Sequence, residues 1–168
     1  MGKEYQRAHF DVPSYEAAVT SSPCFICRIV AGTHDHPHHV VYQDGEFIVF
    51  MSRYPTLAGY VLVAPLEHRE ALVSDFTEEE YVRLQRLVHR VGRAISAALP
   101  TERLYVMSLG SNQGNAHVHW HMAPLPPGVP YSDQQFNALR ADEKGYLSIP
   151  DAEQADLAAR IAAAIPEA

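Results

Sequence analysis

Seven of the ten histidines fall in two clusters, and both cysteines sit in one Cys-x-x-Cys pair, Cys24 and Cys27. The tightest pattern is His117-Val118-His119-Trp120-His121-Met122. In an extended strand, residues two apart share a face. The three imidazoles then look one way, and Val118, Trp120 and Met122 look the other. An apolar face can pack on a helix. The imidazole face must meet something polar, because each buried nitrogen left without a partner costs about 1–3 kcal/mol. Two chemistries suit such a row. A His-x-His pair can chelate zinc from one side of a strand. His117 and His121, however, stand about 13 Å apart at roughly 3.3 Å per residue, a poor span for three rings on one ion. Alternatively, the central His119 is a nucleophile. An imidazole can attack phosphorus to form a phosphoramidate while its neighbours hold the phosphoryl oxygens. The preceding loop, Gly110-Ser111-Asn112-Gln113-Gly114-Asn115, offers the backbone amides and side-chain donors that a phosphate needs.

Cys24 and Cys27 admit three readings: a redox pair, two buried thiols, or half of a zinc site. Redox work would want a preceding strand, whereas Ser21-Ser22-Pro23 comes first. The second histidine cluster, His34-Asp35-His36-Pro37-His38-His39, reads as a solvated loop. Arg53 and Arg69 could supply positive charge near a phosphate, or simply face solvent.

These groups need elements to carry them. Val40-Val41-Tyr42 and Phe47 to Phe50 read as strands joined by an Asp44-Gly45 turn. Tyr60 to Ala64 is a third strand, Leu104 to Ser108 a fourth, and His117 to about Pro124 a fifth. Thr77 and Glu80 form a capping-box signature. From there Tyr81, Leu84, Leu87, Val88, Val91, Ile95 and Leu99 mark one apolar face of a long helix, stopped by Pro100. Strands and helices do not alternate regularly, so the expected class is α+β with an antiparallel sheet. Residues 1–22 read as an N-terminal arm, within which Asp11 to Ser22 could hold a short helix, and 23–128 as the domain. Residues 129–168 read as an extension whose last helix, about Asp151 to Ile165, carries the stripe Leu157, Ile161 and Ile165. Asp151 and Gln154 would cap that helix, and the extension would dock on its own domain or across a dimer, with Tyr131 and Phe136 anchoring it near the site entrance.

Thirteen Lys and Arg against twenty Asp and Glu give a net charge of −7, which argues against a nucleic-acid polymer as partner. No apolar run reaches the roughly 18–20 residues of a membrane span. The first twenty residues lack the apolar core of a secretory signal. The expected location is therefore intracellular, in the cytoplasm.

The histidine row, with apolar residues between, resembles the motif of the histidine-triad (HIT) family. Cys24-Phe25-Ile26-Cys27-Arg28-Ile29-Val30-Ala31-Gly32 resembles that family's N-terminal segment. Val41-Tyr42-x-Asp44 with Phe47 to Phe50 resembles its first hairpin, and Gly59 to Pro65 with His68 its third strand and following turn. The likeness runs from about residue 23 to 127. It implies a HIT-like five-stranded antiparallel sheet with a main helix at about 77–99, in a homodimer joined sheet to sheet. It also implies hydrolysis or transfer of nucleotidyl groups, with His119 as nucleophile on the α-phosphorus and His121 on a phosphoryl oxygen. Gln113, Asn115, Ser108 and Ser52 complete the expected substrate contacts. In the branch carrying this cysteine pair, a structural zinc is implied, held here by Cys24, Cys27, His68 and His117, with no organic cofactor. Three positions depart from the family pattern. Tyr60 stands where a histidine is usual, Ser52 where an Asp or Asn is common, and Gly114 where a Ser or Thr is common.

Overall fold

The computed structural model describes residues 4–167; residues 1–3 and 168, the outer ends of the expected arm and extension, lie outside it. The centre is an antiparallel sheet of five strands: β2 (Val40–Gln43), β3 (Phe47–Met51), β4 (Val61–Pro65), β5 (Arg103–Ser108) and β6 (Trp120–Leu125). Their order across the sheet is β2-β3-β4-β6-β5. β1 (Arg7–Ala8) stands apart and pairs with β7 (Tyr146–Leu147), tying the N-terminal segment to the C-terminal one. Asp44 shapes the β2–β3 turn by accepting from the amides of Glu46 and Phe47, both at 2.8 Å.

β3 and β4 are buried along their whole length. The reason is that both faces of the sheet are covered, which also explains their unbroken apolar runs. On one face lies α3 (Glu78–Ala98), whose buried Leu84, Leu87, Val91 and Ile95 meet Val49, Val61, Val63, Trp120 and Met122. Its capping box is complete, with Thr77 and Glu80 exchanging side-chain and backbone bonds. On the opposite face lies α2 (Phe25–Val30), where Ile26 and Ile29 pack with Ile48, Phe50 and Leu62.

The expected arm is ordered secondary structure: β1 is followed by α1 (Val12–Ser21), capped by Asp11. Beyond β6 come a short 3₁₀ turn (Tyr131–Asp133), α4 (Phe136–Leu139), α5 (Ala141–Lys144), β7 and α6 (Asp151–Ala163). α6 packs on α3 and β2, burying Leu157, Ala158 and Ile161 in the main core. Two details of the extension differ from expectation. Asp151 lies inside the first turn rather than at the cap and takes a 2.8 Å contact from His39 Nε2; Pro150 is the N-cap, without a side-chain bond. Tyr131 and Phe136 are 77% and 82% exposed, so neither anchors the extension on its own domain. The stripe on α6 does that work together with the β1–β7 pairing and buried Ala138.

Candidate functional site

β6 pairs through Leu62↔His121 and Val63↔Trp120. Facing partners share a sheet face. His121 therefore lies with Leu62 and Phe50 beside α2, and Trp120 lies with Val63 beneath α3. The strand ladder begins only at Trp120, yet the alternation extends back through the preceding segment. Val118 is in the α3-side core, while His117 and His119 are only 1% and 3% exposed on the other side. In place of a strand partner, the Val118 amide donates to the Arg69 carbonyl at 2.7 Å. Arg69 itself is held by Glu80 and Glu67 and stacks on Phe76. It braces the loop after β4 against α3 and supplies no charge to the cleft.

His117 and His119 have opposite duties written into their hydrogen bonds. A carbonyl can only accept, so each ring nitrogen facing one must carry the proton. His117 Nε2 donates to Pro65 O at 3.0 Å, turning its Nδ1 lone pair toward the cysteines. His119 Nδ1 donates to His117 O at 2.7 Å, leaving Nε2 unprotonated. Burial pushes the His117 pKa down to about 4 and holds that of His119 below its ordinary value. His121 is pushed to about 3, chiefly by burial and then by neighbouring His119; its Nδ1 lies 3.0 Å from the Tyr60 hydroxyl. Phe25 meets the His119 ring edge-on at 5.8 Å. Ser108 holds the segment by donating to the His119 carbonyl at 2.9 Å.

Cys24, Cys27, His68 and His117 converge, with all four donor atoms within 4.8 Å of one another. Cys24 Sγ is 3.4 Å from His117 Nδ1, and Cys27 Sγ is 3.3 Å from His68 Nδ1 and 3.6 Å from His117 Nδ1. A tetrahedral zinc with ordinary Zn–S and Zn–N lengths places S and N about 3.6 Å apart. His68 Nε2 contacts Glu70 at 2.9 Å, which presents its Nδ1 lone pair to the group. A carboxylate or carbonyl behind each metal-binding imidazole is what such a centre needs. The donors and their orientation fit zinc. The cysteines come from the first turn of α2, where the Cys27 amide points at Cys24 Sγ at 3.5 Å.

A cleft of about 780 Å³ opens over His119 and His121. Of the expected substrate contacts, Ser52, Gln113 and Asn115 line it with His121, whereas Ser108 stands behind the histidine segment. Ser52 Oγ accepts from the Tyr54 amide at 3.3 Å, and Asn115 Nδ2 donates to the Tyr15 hydroxyl at 2.7 Å. Arg53 reaches the cleft beside His38, whose pKa burial lowers to about 4. His38 packs edge-on against Phe50, so one member of the expected solvated loop is part of the wall. Sequence reasoning missed Tyr15 and Tyr60 as site groups. Tyr60 was visible as a departure at a strand position; Tyr15 carried no signal, because only the fold brings α1 here.

Several known proteins are similar to this chain. Protein hit of Bacillus subtilis is 31% identical over 104 residues, which cover 61% of this chain and 70% of that one. The crystal structure of a hypothetical histidine triad nucleotide-binding protein from Sulfolobus tokodaii superposes with a TM-score of 0.67 at 24% identity, covering 84% of this chain and 91% of the other. A Zn-bound histidine triad family protein from Mycobacterium smegmatis gives 0.64 at 23% identity, covering 84% and 92%. The HIT domain model matches residues 33–127. With the triad on one face of the sheet, a Cys-x-x-Cys zinc set beside it and the family match spanning more than half its length, this chain belongs to the HIT family.

Proposed function

We propose that this protein hydrolyses or transfers nucleotidyl groups through a covalent nucleotidyl-His119 intermediate. Candidate substrates are nucleoside phosphoramidates, dinucleoside polyphosphates and adenylylated small molecules. The observation that carries this reading is the bond from His119 Nδ1 to the His117 carbonyl, which leaves an unprotonated Nε2 at the floor of the cleft. Burial favours the neutral ring, so the lone pair is available at pH 7. Nε2 attacks the α-phosphorus. The N–P bond forms as the bond to the leaving group breaks, and the leaving group keeps the electron pair and takes a proton from water. Water then attacks phosphorus and gives up a proton to the hydroxide left by that transfer, the N–P bond breaks, and its pair returns to Nε2. While the N–P bond exists the ring is cationic, and its Nδ1–H bond to the carbonyl becomes a charge-assisted one. With the Tyr60 hydroxyl donating across 3.0 Å to His121 Nδ1, His121 keeps an Nε2–H for a phosphoryl oxygen. The apolar wall of Phe25, Phe50 and Leu62 suits the face of a base, and Ser52 lies within the same cleft for a ribose hydroxyl.

Zinc held by Cys24, Cys27, His68 and His117 would supply a structural cross-link between α2, the loop after β4 and the triad segment. The same family resemblance supports a homodimer joined along the outer edge of β5, where Val106 is 45% exposed.

Replacement of His119 tests the reading. His119→Ala should lower turnover of the best substrate in a nucleotidyl panel by several orders of magnitude while nucleotide binding persists. Near-normal turnover would exclude the covalent route. A second reading, a nucleotide-binding dimer without turnover, draws on two observations: Asn115 is engaged by Tyr15, and position 114 has no side chain. It requires that wild-type protein and His119→Ala be equally inactive across the panel.

A further inference from the structure

α1 is attached to the rest of the molecule through the histidine cleft. It buries no residue fully, and only Tyr15 and Val19, one turn apart, are half-buried. Both line the cleft. Val19 lies against the loop before the triad so closely that a Cβ at Gly114 would meet its Cγ2 at 2.9 Å. Tyr15 packs on Phe10 in a tilted pair at 5.0 Å and meets Tyr54 edge-on at 5.8 Å, spanning from the loop after β3 to Asn115. The backbone of Asn115 is left-handed, with φ 57°, and its amide reaches the Tyr15 oxygen at 2.7 Å.

A phenol that accepts one hydrogen bond keeps its own proton for another. Among the described residues none takes the Tyr15 proton. Burial raises the phenol pKa above its ordinary value, so the group stays a donor. Its place relative to the nucleophile decides what it can meet. His119 is at the cleft floor, 3% exposed. A leaving group in line with an attacking His119 Nε2 must depart away from the floor, toward the mouth. α1, exposed on its outer side, lines the same cleft through Tyr15 and Val19.

We propose that Tyr15 is a further substrate-touching residue of this site, donating its phenolic hydrogen bond to the leaving group. This rests on the nucleotidyl-transfer reading above. As the P–X bond breaks, its electron pair stays on X. The developing negative charge on X accepts the Tyr15 O–H bond, and X takes its proton from water, so Tyr15 itself is unchanged over a turnover. The chemistry specifies substrates whose leaving atom is an oxygen or nitrogen poorly able to carry negative charge. A leaving group that bears its charge easily gains little from the contact.

A series of nucleoside 5′-phosphate aryl esters, with phenols of graded acidity, reads this directly. Tyr15→Phe keeps the ring packing on Phe10 and Tyr54 and removes only the hydroxyl; its thermal midpoint verifies the fold. The expected result is a fall in kcat of about tenfold to a hundredfold for the least acidic phenol, and much less for the most acidic. The dependence of rate on phenol acidity therefore steepens. An equal loss across the series would mark Tyr15 as a clamp on Asn115 and overturn the proposal, as would no loss. His119-dependent cleavage with an unchanged slope in Tyr15→Phe removes this inference alone. Absence of cleavage by the wild-type protein removes both it and the nucleotidyl-transfer reading.

Discussion

Three histidines have their tautomers set by acceptors that cannot donate: His117 by Pro65 O, His119 by His117 O and His68 by Glu70. Two of these send a lone pair to the cysteines and one sends it to the cleft, so residues two apart do different chemistry. His121 has a consequence for stability. Its pKa is held near 3 in the folded chain, mainly by burial, against about 6.5 unfolded. Below pH 6.5 the unfolded chain takes a proton that the folded chain refuses. Stability from this group is thus complete above pH 6.5 and is lost as pH falls toward 3. The slope is at most about 1.4 kcal/mol per pH unit. Urea unfolding between pH 7 and 4 should show it, and His121→Asn should flatten the dependence. An unchanged slope in that variant would mean that His121 is not the group involved. Gly114 is explained at this scale too: Val19 occupies the space a side chain would need.

At the scale of elements, α3 followed directly from its residues. The capping box appears as read, the apolar spacing holds from Leu84 to Ile95 while Tyr81 is exposed, and the helix ends two residues before Pro100. α1 and α6 show the limits of local pattern. α1 has little apolar stripe and is held through Tyr15 and Val19, so its residues alone resemble an arm. α6 has a clear stripe, and the structure supplies what covers it: α3 and β2. Ile161 is fully buried there. Ile161→Ala should cost about 2–5 kcal/mol, measured by denaturant unfolding, because it leaves a cavity between α6 and the main core. A cost near zero would mean that α6 is detached in solution.

For the whole molecule, the cysteine–histidine group joins three distant stretches of chain. Burial, with its neighbour Cys24, pushes the Cys27 thiol up to about 11 when no cation is present. A bound zinc takes thiolates, so uptake should release protons and tighten as pH rises. Chelation of purified protein should lower the thermal midpoint by removing a cross-link, and Cys24→Ser should do so without chelator. Metal analysis with melting curves checks this; a midpoint indifferent to chelator would show that the group holds no structural metal. Among the described residues no helix is long and apolar enough to cross a membrane.

Local pattern set the α+β class, the positions of the five central strands along the chain, the long helix and the face shared by His117, His119 and His121. Those are consequences of period-two and period-3.6 patterning and of turn chemistry, all short-range. Residue spacing also isolated the Cys-x-x-Cys pair, though not its completion: His68 and His117 entered through family likeness. Tertiary structure decided the rest. Only the sheet register sets Leu62 against His121, only the bond to Pro65 O turns His117 toward the cysteines, and only the docking of α1 brings Tyr15 to Asn115. Each of these joins residues far apart in the chain, and contacts of that kind are created by packing rather than by local preference.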